Sequence, residues 1–236
     1  MRNAETFSRQ EKKRANLILT QTGSFEFIEA FNALRTNLQF ASLNRPLHKI
    51  VVTSSVIGEG KSTIAVNLAI SLAEISYHVL LIDADLRRPN VHKLLGIDNV
   101  AGLTTAITEA RPWEKCITKI DEDGLSVMTS GPIPPNPVEL LVSDRFKQLI
   151  SALGAAYDFI VIDSPPVSMI TDAAVISVVS DGVLFVIRQD YTSFEAVKTA
   201  QKNLENVNAN LIGCVLNSFK RKDHLMKYGD YYKRDG

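Results

Sequence analysis

A glycine-containing segment between an apolar run and a helical pattern carries the residue types of a phosphate-binding loop. Residues 50–52 are β-branched and apolar, Ser55 holds the first glycine position of such a loop, and a glycine, a lysine and two hydroxyl residues follow. Backbone amides of such a loop surround an anion, and the helix that follows points its positive end at it. The lysine reaches the β/γ-phosphates and the first hydroxyl binds Mg²⁺. The nucleotide-binding residues are therefore predicted to be Gly58, Glu59, Gly60, Lys61, Ser62 and Thr63.

Acidic residues stand at the ends of two further apolar runs. Asp83 closes the run at 79–83 and is followed by Asp85, and Asp163 closes the run at 157–163. Runs without polar alternation are typical of parallel strands that are buried on both faces. The carboxyl ends of such strands share one edge of a sheet, where ligands bind. We therefore expect the three carboxylates beside the phosphate loop. Asp163 has the pattern of the acid that orients the metal in nucleotide hydrolases.

Strand and helix patterns alternate along the chain. Further strands are predicted at 125–128, 182–187 and 211–216, and helices at 24–41, 64–73, 172–179 and 193–204. Short helical pieces are predicted between them, one of them capped by Asn136. This alternation predicts an α/β fold with a doubly wound, mostly parallel sheet flanked by helices and right-handed crossovers. With the phosphate loop, the fold class is that of the P-loop NTPases.

Composition limits the remaining classes of function and the domain organisation. The chain has 236 residues and zero net charge, so no overall field favours nucleic acid. It contains no run of 18 apolar residues and no secretory signal pattern. The two cysteines lie far apart in sequence and show no metal-ligand spacing. The expected organisation is a polar arm at 1–23, one domain at 24–218 and a flexible tail at 219–236.

Two segments fit either a structural or a functional role. The stretch 130–137 holds four prolines, and it fits a rigid connector or a loop beside the nucleotide site. The tail is basic and carries Tyr228, Tyr231 and Tyr232 without a periodic apolar partner. It fits a docking segment or a cluster of phosphoacceptor hydroxyls, each of which gains about −1.5 to −2 charge when phosphorylated.

Taken together, these motifs resemble the bacterial protein-tyrosine kinases of capsule and exopolysaccharide loci. The resemblance covers nearly the whole chain and is carried by TSSVIGEGKST at 53–63, VLLIDADLRRP at 79–89, SGPIPPNPVELL at 130–141, FIVIDSPP at 159–166, VLN at 215–217 and the tyrosine tail. It implies an ATP- and Mg²⁺-dependent tyrosine autokinase that phosphorylates its tail between subunits, and other proteins as well. Capsule or exopolysaccharide synthesis and export is the process it would regulate.

The resemblance also implies residue roles. Lys61 and Ser62 end the Walker A loop, Asp83 and Asp85 belong to the Walker A-prime motif, and Asp163 is the Walker B acid. Catalysis would use Lys61, Asp85 and Asp83, with Asp85 activating the tyrosine hydroxyl, and the metal would be held by Ser62, Asp83 and Asp163. Asn217 matches the position that contacts adenine.

A subunit contact is implied for the first helix. The family pattern Glu-x-x-Arg-x-x-Arg holds subunits in a ring, and here it reads Glu29, Asn32 and Arg35. Asn32 replaces the first arginine and removes a bidentate, charge-assisted contact. A homo-oligomer is expected, with a ring that is weakened or altered.

The implied partners are a membrane-embedded activator of the polysaccharide co-polymerase type, a phosphotyrosine phosphatase and protein substrates. The expected location is cytoplasmic, at the inner face of the membrane. A partition- or division-site-type ATPase is the nearest alternative, but Val56 stands where those proteins carry a lysine. A non-catalytic, nucleotide-gated regulator of polysaccharide export is the other alternative. The complete set of loop and acidic residues argues against it.

Overall fold

Parallel strands form the centre of the molecule. The computed structural model describes residues 24–43, 45–109, 111–120 and 124–218. Within these ranges seven strands form one sheet in the order β3-β4-β2-β5-β1-β6-β7, with only the β3–β4 pair antiparallel. The strands are β1 Lys49–Ser54, β2 Val79–Asp83, β3 Thr118–Lys119, β4 Leu125–Met128, β5 Phe159–Asp163, β6 Gly182–Arg188 and β7 Leu211–Asn217.

Helices connect the strands and cover both faces of the sheet. They are α1 Phe25–Ser42, α2 Lys61–Ala73, α3 Val91–Leu95, α4 Leu103–Thr108, α5 Pro137–Val142, α6 Asp144–Ala156, α7 Asp172–Ser177 and α8 Phe194–Glu205, with a 3₁₀ turn at Trp113–Cys116. This arrangement confirms the predicted doubly wound α/β fold.

The central strands are buried on both sides, as their unbroken apolar sequences predict. Alternate residues of β1 enter different cores: Val51 packs in the core that includes Phe146 of α6, and Ile50 packs in the core that includes Leu68 of α2. All four side chains are fully buried. The sheet is therefore a rigid platform whose carboxyl edge positions the loops above it.

The first helix begins where the sequence predicts. The Ser24 hydroxyl accepts a hydrogen bond from the Phe27 amide at 3.4 Å, as an N-cap does. Phe31 and Leu38 are buried against the domain. No helix among the described residues is long and apolar enough to cross a bilayer.

Two elements were missed by the sequence patterns, and one cap differs from its prediction. Helix α6 has a clear start, because the Ser143 hydroxyl accepts from the Phe146 amide at 3.2 Å, yet its pattern was not recognised. Strand β3 is two exposed residues long and carries no apolar signal. Asn136 precedes α5 as predicted, but its side-chain amide donates to Glu139 at 3.1 Å instead of capping the helix. The arm at 1–23 and the tyrosine tail lie outside the described residues.

Candidate active site

The phosphate loop joins β1 to α2 as a tight turn. Gly58 and Gly60 have φ angles of 89° and 90°, which fall in the left-handed region that favours glycine. Gly60 is the N-cap residue of α2, and Lys61 and Ser62 form its first turn. The backbone thus has the strand–loop–helix context that phosphate binding requires.

Strand register brings the predicted acids together. Asp83 at the end of β2 pairs directly with Asp163 at the end of β5. Asp163 also lies in register with Val52 of β1, the strand that leads into the phosphate loop. Asp83 and Asp163 are fully buried, and Asp85 is 4 % exposed. The short, parallel, neighbouring strands therefore place these carboxylates at one edge of the sheet.

Lys61 links the phosphate loop to the acids. Its Nζ lies 2.9 Å from Asp85 Oδ2 and 3.5 Å from Asp163 Oδ1. Burial lowers the pKa of Lys61, but the negative charges of Asp163 and Asp85 outweigh burial and raise that pKa overall. Lys61 is therefore a protonated counter-ion held inside an acidic cluster.

Asp83 organises the backbone that follows it. Its carboxylate accepts hydrogen bonds from the amides of Asp85 at 3.2 Å, Asn90 at 3.1 Å and Val91 at 3.0 Å. Burial and the nearby charge of Asp163 nevertheless raise the pKa of Asp83 to about 7. In this arrangement Asp83 shapes the loop that carries Asp85, and its predicted roles in metal binding and catalysis stay predictions.

The donor set fits Mg²⁺ bound together with phosphate. The buried Asp163 Oδ2 has no hydrogen-bond partner among the described residues, and burial raises the pKa of this carboxyl group. No group of three acidic, histidine or cysteine side chains in the described part of the chain is arranged to hold a metal alone. Mg²⁺ commonly uses one or two carboxylates and completes its shell with substrate phosphates and water. Asp163 and Ser62 fit such a partial site.

A cavity of about 930 Å³ opens above these residues. Lys61, Ser62 and Asp85 line it, together with Pro132 and Ile133 of the proline-rich loop. This loop therefore lies beside the candidate site. Its position supports a functional role for the loop over that of a rigid connector.

One ion pair at the cavity was not assigned from sequence. Arg87 donates through Nε and Nη2 to the two carboxylate oxygens of Asp172, at 2.9 and 3.2 Å. Asp172 is fully buried, and Arg87 lines the cavity. The sequence predicts a helix that starts at Asp172, and no spacing rule connects residues so far apart.

Thr63 of the phosphate loop lines the cavity, whereas Asn217, Arg35 and Glu29 do not. Asn217 donates through Nδ2 to the Glu59 carbonyl at 2.7 Å, so it contacts the backbone of the phosphate loop from outside the cavity. Arg35 of α1 donates through Nη1 to the Ser71 carbonyl at 2.6 Å, and Glu29 accepts from Asn32 at 3.0 Å. The adenine contact and the subunit contact stay predictions.

The fold and the loop define a P-loop nucleotide-binding protein of the doubly wound α/β class. Residues 47–213 match the family model described as an AAA domain. The septum site-determining protein MinD of Pyrococcus horikoshii, solved with Mg-ADP, has the same fold at 22 % identity and a TM-score of 0.62.

More similar proteins define the family. Tyrosine-protein kinase YwqD of Bacillus subtilis is 40 % identical over 88 % of this chain and 87 % of the relative. Tyrosine-protein kinase CpsD of Streptococcus agalactiae is 35 % identical over 86 % of this chain and 87 % of the relative. The chimerical protein CapA2B2 has a TM-score of 0.83 at 36 % identity, covering 88 % of this chain and 91 % of that one. The chain therefore belongs to the bacterial tyrosine-protein kinases of capsule loci, and its enzyme class is protein-tyrosine kinase.

Proposed function

We propose that this chain is an ATP-dependent tyrosine autokinase that regulates capsule or exopolysaccharide synthesis and export. The observation that carries the proposal is the contact of Lys61 with Asp85 and Asp163 in the cavity beside the phosphate loop. The family supports tyrosine as the acceptor.

Lys61 has two roles in this mechanism. Without nucleotide its ammonium forms ion pairs with the carboxylates of Asp85 and Asp163. When ATP enters the loop, the same ammonium moves to the β/γ-phosphates, where it offsets the charge that develops during transfer. The move leaves Asp85 without its counter-ion and free to accept a proton.

Asp85 then acts on the acceptor. Its carboxylate lies at the cavity and takes the proton from the tyrosine hydroxyl while the oxygen attacks the γ-phosphorus. The bond from the γ-phosphorus to the bridging oxygen breaks, and ADP leaves. Asp163 and Ser62 would help to hold Mg²⁺, which would supply positive charge to offset the negative charge of the phosphoryl group.

The acceptors are Tyr228, Tyr231 and Tyr232 of the tail. The last described strand supports this choice, because Asn217 at its end contacts Glu59 of the phosphate loop and the tail therefore starts near the site. Tyr228 stands eleven residues beyond Asn217. An extended segment of that length spans up to roughly 40 Å. Transfer between subunits is favoured because assembly raises the local acceptor concentration.

The protein works with several partners. A membrane-embedded activator of the co-polymerase type recruits it to the inner face of the membrane, and a phosphotyrosine phosphatase reverses the modification. Other proteins serve as further substrates. Phosphate accumulating on the tail loosens the oligomer by repulsion, which makes the modification part of a cycle.

The test is Asp85→Asn, with Asp98→Asn as the matched control on an exposed carboxylate outside the cavity. Asp85→Asn is expected to lower phosphotyrosine formation at least a hundredfold, the lower end of general-base effects. ATP binding, measured by calorimetry, should change less than tenfold. Transfer at the wild-type rate in Asp85→Asn would refute the assigned role. ATP hydrolysis by the wild type without any phosphotyrosine would favour the ATPase alternative.

A further inference from the structure

Side chains from outside the cavity hold three consecutive carbonyl groups of the phosphate loop. Each carbonyl oxygen accepts one hydrogen bond, and the three donors come from β6, the turn after it and the end of β7. The pairs are Tyr191 hydroxyl to Ile57 at 3.0 Å, Arg188 Nη1 to Gly58 at 3.1 Å and Asn217 Nδ2 to Glu59 at 2.7 Å. We call these three donors the carbonyl clamps.

Because the peptide group is planar, holding these carbonyl groups also fixes the direction of the loop amides. In a trans peptide the carbonyl and the following N–H point in opposite directions, and the described residues contain no cis peptide bond. The amides of Gly58, Glu59 and Gly60 therefore point away from the clamps. Gly58 and Gly60 line the cavity, whereas none of the clamps does. The clamped loop thus turns the amides of Gly58 and Gly60 toward the cavity that these two residues line.

The side chain of Glu59 ties the same two segments together. It is 1 % exposed, although it belongs to a loop that is expected to bind an anion. Its Oε2 accepts from the Val56 amide at 2.6 Å, and its Oε1 accepts from the Arg188 amide at 3.3 Å and from the Thr192 hydroxyl. The Glu59 carboxylate thus connects the loop to residues 188–192 through hydrogen bonds.

Close contact with the clamps also explains why glycine occupies positions 58 and 60. A Cβ atom on Gly58 would lie 3.0 Å from the Tyr191 hydroxyl, and one on Gly60 would collide with the Asn217 amide. Arg188 stacks on the Tyr191 ring, with 4.9 Å between its Cζ and the ring centroid, so two of the clamps support each other. The clamps and the two glycines therefore pack together as one unit.

We propose that Tyr191, Arg188 and Asn217 are positioning residues that pre-organise the amides of the phosphate loop for a polyphosphate. The inference rests on the proposed use of ATP and adds the residues that prepare its binding site. It also gives Asn217 a role in the ligand-free protein, where its Nδ2 binds the Glu59 carbonyl and its Oδ1 accepts from the Ser218 amide at 2.8 Å.

Tyr191→Phe is the cleanest test, because it removes one hydroxyl and keeps the ring that Arg188 stacks on. Tyr77→Phe is the matched control, since its ring packs edge-on against Phe159 at 4.9 Å, away from the loop. Calorimetry on the full chain would measure Mg-ATP and Mg-tripolyphosphate, and thermal unfolding without ligand would follow stability. Tyr191→Phe is expected to weaken both ligands by the same factor, about two- to tenfold, the value of one hydrogen bond. Its ligand-free melting temperature should fall by at most roughly 1–6 °C, because the same single hydrogen bond is lost from the ligand-free protein.

Several outcomes would overturn the proposal. Unchanged affinity for both ligands would show that the clamp does not prepare the loop. Weakening of ATP alone would make Tyr191 a contact of the nucleoside, and a lower melting temperature with unchanged affinity would make it merely structural. The assay needs no acceptor tyrosine, so a failure of the proposed kinase reaction leaves its result valid.

Discussion

Among single residues, Lys61 contacts carboxylates in the ligand-free protein, and the proposed mechanism moves it to the phosphates when nucleotide binds. Its contacts with Asp85 and Asp163 replace the phosphates that its motif predicts. In the ligand-free protein the single positive charge of Lys61 therefore offsets part of the negative charge of these carboxylates. In the proposed mechanism, ATP binding breaks the 2.9 Å ion pair and so releases Asp85, the proposed base.

The raised pKa of Asp83 predicts a pH-dependent stability. Between its ordinary value of 3.8 and about 7, the folded protein keeps the proton on Asp83 that the unfolded chain releases. The folded state then binds more protons, so stability falls as pH rises through this window. Asp83→Asn has no titratable side chain at this position, so it lacks this dependence on pH. Its free energy of unfolding relative to wild type should rise by roughly 2–4 kcal/mol between pH 4 and pH 8.

Urea unfolding of the ligand-free protein without Mg²⁺ would measure this difference at each pH. Asp98→Asn serves as the control, because it replaces an exposed carboxylate. A constant difference between Asp83→Asn and wild type across the range would contradict the assigned pKa.

The sequence predicted the residues whose role depends on strand ends, and it missed those that depend on distant contacts. Asp83 and Asp163 are adjacent because parallel strands share one edge, which the apolar runs reveal. The Tyr191 hydroxyl reaches Ile57 across 134 residues of sequence. No local pattern encodes such a contact, because it depends on the order of strands in the finished sheet.

At the scale of elements, the start of α2 depends on a backbone conformation. Gly60 has a φ of 90° and the Asn217 amide beside its Cα, so Gly60→Ala is expected to destabilise the domain by about 1–3 kcal/mol and to weaken ATP binding strongly. Gly154 lies inside α6, where a Cβ atom would meet only Lys49 Cδ at 3.8 Å. Gly154→Ala should therefore stabilise the protein by about 0.5–1 kcal/mol.

Urea unfolding and calorimetry with ATP would measure both variants. Equal effects of the two substitutions would mean that the conformation of Gly60 does not control the loop.

Element prediction succeeded where one pattern dominated. The buried strands β1, β2 and β5 have unbroken apolar runs, and they fall where they were predicted. Helix α6 was missed although Phe146, Ile150 and Leu153 recur at helical spacing and are buried. Most of its exposed residues are polar, and no helix was predicted between α5 and β5. The two-residue strand β3 forms by pairing with β4, which its own residues do not predict.

At the scale of the whole molecule, the surface of α1 bears on assembly. Arg35 is bound to the Ser71 carbonyl within its own chain, and Asn32 is bound to Glu29. Asn32→Arg restores the arginine of the family pattern and a bidentate donor for carboxylates. We expect this variant to shift the protein toward larger oligomers, with a mass at least twice the wild-type mass at equal concentration.

Light scattering with and without Mg-ATP would follow the shift, and Thr36→Arg, one helical turn further along α1, would control for added charge. A strict monomer for both Asn32→Arg and wild type at high concentration would exclude the ring. A similar shift in Thr36→Arg would attribute it to charge alone.

The most direct test of the central claim is phosphosite mapping of the purified chain after incubation with Mg-ATP, alongside Lys61→Met. A cytoplasmic segment of a candidate activator would be added in parallel reactions. Phosphate is expected on Tyr228, Tyr231 or Tyr232 in the wild type and is expected to be absent from Lys61→Met. ATP hydrolysis without phosphotyrosine, even with activator, would contradict the proposed autokinase activity and leave a P-loop ATPase.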